Sequence, residues 1–236
     1  MAILEVNSIN VNYGNMHVLW DVSLKIEEGS IAALIGANGA GKTTLLNTMT
    51  GLIKPLSGEV VFDGERIDSL PADEIIGKGI AYLPEGGRLF PDMTIRENLE
   101  MGAYPVKLWK GRKLGIEKIY KLFPILEERK NQLARTMSGG ERQMLAMGRT
   151  LMSGPALCLF DELSYGLSPV MAQAAFNIVK QLREEGITVF LVEQNVPMTL
   201  EIADYAYVIE NGRIVKESEC ELLLKDDYIK QAYLGI

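Results

Sequence analysis

The segment Gly36-Ala37-Asn38-Gly39-Ala40-Gly41-Lys42-Thr43 brings glycines, a lysine and a threonine together in one short stretch. Glycines let backbone N–H groups turn inward and converge on an anion. Lys42 adds positive charge at the same place, and the Thr43 hydroxyl adds an oxygen ligand suited to a hard divalent cation. The pattern is that of a phosphate-binding loop, in which Lys42 reaches the outer phosphates of a nucleotide and Thr43 holds Mg²⁺. Far downstream, Ala156-Leu157-Cys158-Leu159-Phe160 is apolar and breaks into Asp161-Glu162. Two carboxylates at the end of a buried segment are costly unless a cation or a water network meets them. Asp161 is thus placed to hold Mg²⁺ through water, and Glu162 to polarise an attacking water as general base. Between these groups lies Met137-Ser138-Gly139-Gly140-Glu141-Arg142-Gln143. A hydroxyl, two glycine N–H groups and a helix start are the ingredients of a second anion site.

Such residues act only when strands and helices position them. Ile31–Ile35 is a continuous apolar run, which predicts a strand buried on both faces of a parallel sheet. It feeds the glycine loop, and the helix after the loop is expected to stop near Gly51. Further strands are expected at Ile3–Val6, Val22–Ile26, Val60–Phe62, Ile80–Leu83, Leu157–Phe160 and Ile187–Val192. Glu27-Glu28-Gly29 reads as a turn, and Glu210-Asn211-Gly212-Arg213 as a hairpin turn between two short strands. From Pro84 to Leu151 the pattern is helical, with Thr94/Glu97 and Ser138/Glu141 as capping boxes. Ser168 and Pro169 open a later helix, and the residues after Lys216 read as one or two small helices. Strands alternating with helices predict an α/β fold. The helical stretch interrupts the alternation as an inserted subdomain.

The 236 residues suffice for one large domain, and 47% apolar with 23% charged residues is the balance of a globular protein. Two cysteines and one histidine exclude a disulfide framework and a Cys/His zinc site, and fit a reducing cytoplasm. The net charge of −7 gives no whole-chain basic field for nucleic acid. A local basic segment, Lys107, Lys110, Arg112, Lys113, Lys118 and Lys121, reads as a solvated helix face, with contact to lipid headgroups or a partner as the other reading. No apolar run is long enough to span a bilayer, and the N-terminus lacks the pattern of a secretory signal.

With these motifs in order, the chain resembles the ATP-binding subunits of ABC transporters. Met137–Gln143 resembles the LSGGQ signature of that family, and Ser164-Tyr165-Gly166-Leu167-Ser168 matches its D-loop. The resemblance implies a P-loop NTPase (RecA-like) core with an N-terminal antiparallel β subdomain and an inserted α-helical subdomain. It divides a single domain, 1–236, into core and β subdomain (1–84 and 152–216), Q-loop and helical subdomain (85–151) and short C-terminal helices (217–236). ATP and Mg²⁺ are the implied cofactors. Gly36, Asn38, Gly39, Ala40, Gly41, Lys42, Thr43 and Thr44 would bind ATP. Tyr13 matches the aromatic that stacks on adenine, although an ordinary core or turn position fits it as well. Ser138, Gly139 and Gly140 would contact the γ-phosphate bound to the opposite subunit of a head-to-tail dimer. Thr43, Glu85 and Asp161 are the implied metal ligands, and Glu162 with Gln194 the catalytic pair.

Within the family the chain is most similar to the second ATPase of branched-chain amino acid importers and their urea- and amide-importing relatives. The segments that carry this are Leu83–Pro91, Gln143–Arg149, Leu191–Asn195 and the ending Ala232–Ile236. The resemblance implies two integral membrane permease subunits, a second ABC ATPase (or a second copy) and, indirectly, an extracytoplasmic solute-binding protein. It implies no nucleic acid, and a peripheral place on the cytoplasmic face of the cell membrane. The chain departs from the wider family in four places: Glu85 stands where Gln is usual, Gln194 where a switch His is usual, Leu163 where Pro is usual, and Tyr165 where Leu is common. Two alternatives remain beside the importer reading. One is an ABC ATPase of DNA repair or translation; the other is a weakly hydrolysing nucleotide switch.

Overall fold

The computed structural model describes residues 1–104 and 109–234. Lys107 of the basic segment and the final Gly235 and Ile236 therefore lie outside the described residues. Two sheets organise the chain. In the first, β1 (Ala2–Tyr13) pairs antiparallel with β2 (Met16–Glu27) on one side and β4 (Ser57–Phe62) on the other, with β5 (Glu65–Arg66) beyond it. The second has the order β10-β9-β3-β8-β7-β6. Its strands are β3 (Ile31–Ile35), β6 (Ile80–Leu83), β7 (Leu157–Asp161), β8 (Thr188–Glu193), β9 (Tyr205–Glu210) and β10 (Arg213–Glu219). Every pair in it is parallel except β9 with β10.

β1 and β2 run well beyond the Ile3–Val6 and Val22–Ile26 stretches expected from alternation. The reason is local. Leu4 and Val6 point to the core, and so do Ile9 and Val11, but Ser8 between them sits at φ +49 and shifts the register. Asp21, also at φ +49, does the same between Leu19 and Val22. A bulge resets a period of two, so each long strand reads in sequence as a short one. Side chains satisfy both bulges: the Ser23 hydroxyl accepts from the Ser8 N–H and the Asn10 amide oxygen from the Asp21 N–H.

In the second sheet alternate residues serve opposite layers. Leu157, Leu159, Phe190 and Val192 face the first sheet, α1 (Lys42–Met49) and the short α2 (Ala72–Gly77), whereas Cys158, Phe160, Val189 and Leu191 face helices. Those strands are apolar throughout because both faces are covered. The helical layer contains α3 (Ile95–Gly102), α4 (Arg112–Leu122), α5 (Pro124–Glu128), α6 (Gly139–Leu151) and α7 (Pro169–Glu184), which share one apolar cluster with the sheet. Thr94 and Ser138 form the two capping boxes and Ser168 caps α7 ahead of Pro169. On α4 and just ahead of it, Lys110, Lys113, Lys118 and Lys121 are exposed, while Arg112 lies over the Trp109 ring at 4.0 Å. The chain ends in α8 (Val196–Ile202), the short α9 (Cys220–Leu223) and α10 (Asp227–Ile229), and a π-turn. Among the described residues no helix is long and apolar enough to cross a membrane.

Candidate nucleotide site

The glycine loop sits where β3 ends and α1 begins. Gly41 adopts φ +110, and α1 has neither a side-chain cap nor an acidic residue in its first turn. The first N–H groups of the helix are therefore left for an anion, with the helix dipole behind them. The turn at Asn211-Gly212 braces the loop from outside, with the Gly212 N–H donating to the Ala40 carbonyl at 2.9 Å. A Cβ on Gly212 would lie 1.9 Å from the Val18 carbonyl oxygen, so this contact needs glycine.

Lys42 is only 5% exposed. Its ammonium donates to the carbonyls of Gly36 at 2.9 Å and Ala37 at 3.2 Å, and lies 3.5 Å from Glu162 Oε1. The Thr43 hydroxyl donates to Asp161 Oδ2 at 2.9 Å, and Thr44 is buried in the first turn beside it. Tyr82, which the sequence did not single out, donates to the same Asp161 oxygen at 3.3 Å. Burial pushes the Asp161 carboxyl up, with the charges of Glu162 and Glu85 adding to it; the two hydroxyls oppose the shift. Burial also pushes the Tyr82 phenol up, and Asp161 adds to that. Asp161 Oδ1 is buried without any hydrogen-bond partner.

Glu162 follows at φ +51, its N–H held by the Val192 carbonyl at 2.8 Å. The Gln194 amide donates to Glu162 Oε1 at 2.6 Å and also to the Asn38 side chain. Lys42, Asp161, Glu162, Gln194 and Asn38 thus converge at the carboxyl ends of β3, β7 and β8, the end of a parallel sheet where ligands bind. Glu85 lies on the loop after β6 and is exposed. That loop is tied down by Arg149, near the end of α6, whose guanidinium donates to the carbonyls of Gly87 at 2.6 Å and Arg88 at 2.9 Å. Asn98 is fully buried and holds the next stretch through the Phe90, Met93 and Thr94 backbone.

Other residues singled out in the sequence stand apart. Tyr13 ends β1 and is 47% exposed. Ser138 and Gly139 are exposed at the start of α6. Among the described residues no hydrogen bond joins Ser138–Gly140 to the glycine loop.

The family described as ABC transporter matches residues 19–164. Over 233 residues the chain is 48% identical to the high-affinity branched-chain amino acid transport ATP-binding protein BraG of Pseudomonas aeruginosa, covering 99% of this chain and 100% of that one. It is 38% identical to the probable branched-chain amino acid transport ATP-binding protein LivF of Archaeoglobus fulgidus, covering 99% of each. A crystallised ATP-binding cassette of an ABC transporter in its ADP conformation, MJ1267, superposes with a TM-score of 0.86 at 30% identity, covering 100% of both chains. The chain belongs to the ABC transporter family.

As an ABC cassette it carries the four departures noted above, and the structure gives each a setting. Leu163 is fully buried among Phe160, Phe176 and their neighbours, so an apolar anchor stands where the family has proline. Tyr165 is 66% exposed and enlarges the outward turn rather than the core. Gln194 bridges Asn38 and Glu162. The lone histidine, His17, is stacked on Trp20 with ring centroids 3.5 Å apart. Unremarked in the sequence was Glu193, which is 1% exposed and accepts from both the N–H and the hydroxyl of Ser164. Burial pushes its carboxyl up. Its only sequence signal was a charge closing an apolar run.

Proposed function

We propose that this cassette binds and hydrolyses Mg²⁺-ATP to drive import of branched-chain amino acids or a similar small polar solute. It would work on the cytoplasmic face of the cell membrane with two permease subunits. A second ABC ATPase, or a second copy of this chain, would pair with it head to tail. The observation that carries the hydrolytic reading is the meeting of Lys42, Thr43, Asp161, Glu162 and Gln194 at one end of the second sheet. The full-length likeness to BraG supports the substrate class.

ATP would lie with its phosphates against the N–H groups of residues 36–44, and Lys42 would turn from the Gly36 and Ala37 carbonyls to the outer phosphate oxygens. Tyr13, exposed at the end of β1, is in reach of solvent and suits stacking on adenine. The Thr43 hydroxyl and the unpartnered, buried Asp161 Oδ1 are an oxygen set that fits Mg²⁺. Among the described residues no group of three or more acidic, His or Cys side chains forms a metal cage; Mg²⁺ commonly takes few protein ligands and keeps phosphate and water. When bound, Mg²⁺ supplies neutralisation of phosphate charge. Glu162 then takes a proton from the attacking water, and Gln194 fixes the Glu162 carboxylate and donates to phosphate oxygen. Ser138–Gly140, presented outward, would complete the opposite subunit's site.

Affinity purification from native membranes in mild detergent, read by mass spectrometry, tests the transport reading. Two polytopic membrane proteins and a second ABC ATPase are expected; ribosomes or DNA-repair proteins without a permease would overturn it. For the hydrolytic reading, Glu162→Gln is expected to keep ATP binding and slow steady-state turnover by about 10²–10⁴-fold. Turnover at the wild-type rate would remove Glu162 from the mechanism.

A further inference from the structure

Glu162 occupies the left-handed region at φ +51. A residue with a Cβ stays there only when its surroundings over-determine it. Besides Lys42, 3.5 Å from its carboxylate, and the Tyr165 N–H, which donates to its carbonyl at 3.1 Å, Glu162 is held from the end of β8. The Val192 carbonyl accepts the Glu162 N–H at 2.8 Å, and the Gln194 amide donates to the Glu162 carboxylate at 2.6 Å. Glu193, between them, does not touch Glu162 by hydrogen bond. Its Oε1 accepts the Ser164 N–H at 2.9 Å and its Oε2 accepts the Ser164 hydroxyl at 2.7 Å. Both oxygens are thus spent on one residue, two places beyond Glu162.

A buried carboxyl without a cation is an expensive way to end a strand. The charge of Glu162 acts on Glu193 repulsively and adds to the upward push of burial. The preceding residues, Val189 to Val192, are apolar and fully buried, so an apolar side chain suits the position by packing alone. What a carboxyl adds is two acceptors in one plane, matched to the two donors of Ser164. Leu163 is fully buried and anchors the turn by packing, and the Ser164 carbonyl accepts the Leu167 N–H at 3.2 Å; Glu193 takes the two Ser164 donors.

We infer that Glu193 is a positioning residue for hydrolysis: by clamping Ser164 it sets the turn after Glu162, and so the direction in which the Glu162 carboxylate meets the attacking water. This rests on the ATPase reading above. The same clamp fixes where Tyr165, next in the chain and exposed, is presented.

Steady-state ATP hydrolysis and nucleotide affinity of the purified full chain test it, with four single variants, one double variant and thermal melting as a check on folding. Glu193→Met fills the space and removes both acceptors; Glu193→Ala does so without filling it. Either is expected to lower kcat by about 10–100-fold while KM and Kd for ATP stay within about twofold, because positioning acts on the transition state. Glu193→Gln keeps an oxygen for the Ser164 N–H, and its amide donates to the rotated hydroxyl, so kcat is expected within about threefold of wild type. Ser164→Ala keeps the N–H bond and should cost less than Glu193→Met. Combined with Glu193→Met it should add nothing, because the two changes remove one interaction. Undiminished kcat in Glu193→Met, a parallel fall in nucleotide affinity, or failure of Glu193→Gln to preserve turnover would each overturn the role. A wild-type chain that binds ATP but never hydrolyses it, alone or with its membrane partners, would instead overturn the underlying ATPase reading.

Discussion

The two helix starts proposed to meet phosphate are built in opposite ways. At α1 nothing in the chain competes for them: the N-cap is a glycine, no acid lies in the first turn, and Lys42 is buried alongside. At α6 the chain satisfies its own helix. Ser138 and Glu141 close a capping box, and Arg129 neutralises Glu141 at 2.7 Å. Hydrogen bonds to the helix end lower the Glu141 carboxyl below its usual range, led by the Ser138 backbone N–H, so it is held as an anion there. The first site is self-contained and charged. The second is exposed and neutralised, and under the proposed function would gain strong electrostatics only with a nucleotide brought to it on another subunit. Free N–H groups with a buried cation make a binding site, whereas capped N–H groups on a firm helix make a docking edge.

That contrast can be broken most severely at Lys42. Lys42→Ala is expected to weaken ATP binding to the isolated chain by about 10²-fold, since charge-assisted bonds to phosphate are the strongest in such a site. Titration calorimetry with equal affinities would erase the distinction between the two helix starts. Ser138→Ala sharpens it. Affinity for ATP in the isolated chain should stay within about twofold, while hydrolysis in the assembled transporter falls. The lost cap should cost about 1 kcal/mol in thermal unfolding. The smallest effect, opposite in sign, is expected from Asp161→Asn. Because burial raises the Asp161 carboxyl, its contribution to stability is present below the unfolded carboxylate value and lost as pH rises through the raised folded value. Above that raised value its ionised form is thus a cost to the nucleotide-free protein. Asparagine should raise the melting temperature at pH 7 by a few degrees and leave it unchanged near pH 3, below both values. Equal melting at both pH values would place the Asp161 charge in a solvated setting.

Much of the first site was legible because its residues are consecutive. Gly36 to Thr43 and Asp161-Glu162 are dense runs of unusual types, and apolar strands before them announce which end of a sheet they occupy. The capping boxes were equally plain, being set by spacing within one turn. Residues that act across the fold were not legible. Tyr82 looks like any strand tyrosine until β6 is laid beside β7. Arg149 belongs to a helix whose start, not its end, drew attention, and Glu193 bonds to a residue 29 places away. The long first hairpin was hidden for another reason: its hydrophobic period is broken by bulges, so pattern alone saw only the unbroken pieces.

Those bulges also bear on how the molecule avoids its own kind. β2 is the outer strand of its sheet and twelve residues long, a length that invites pairing with another chain. Asp21 kinks it part-way, and the adjacent Trp20 N–H is already taken by the Gly212 carbonyl at 2.8 Å. At the far edge of the other sheet, the exposed face of β10 carries Arg213, Val215, Glu217 and Glu219, three of them charged. Each long border is therefore interrupted or charged, which disfavours edge-to-edge pairing with a second copy of the chain.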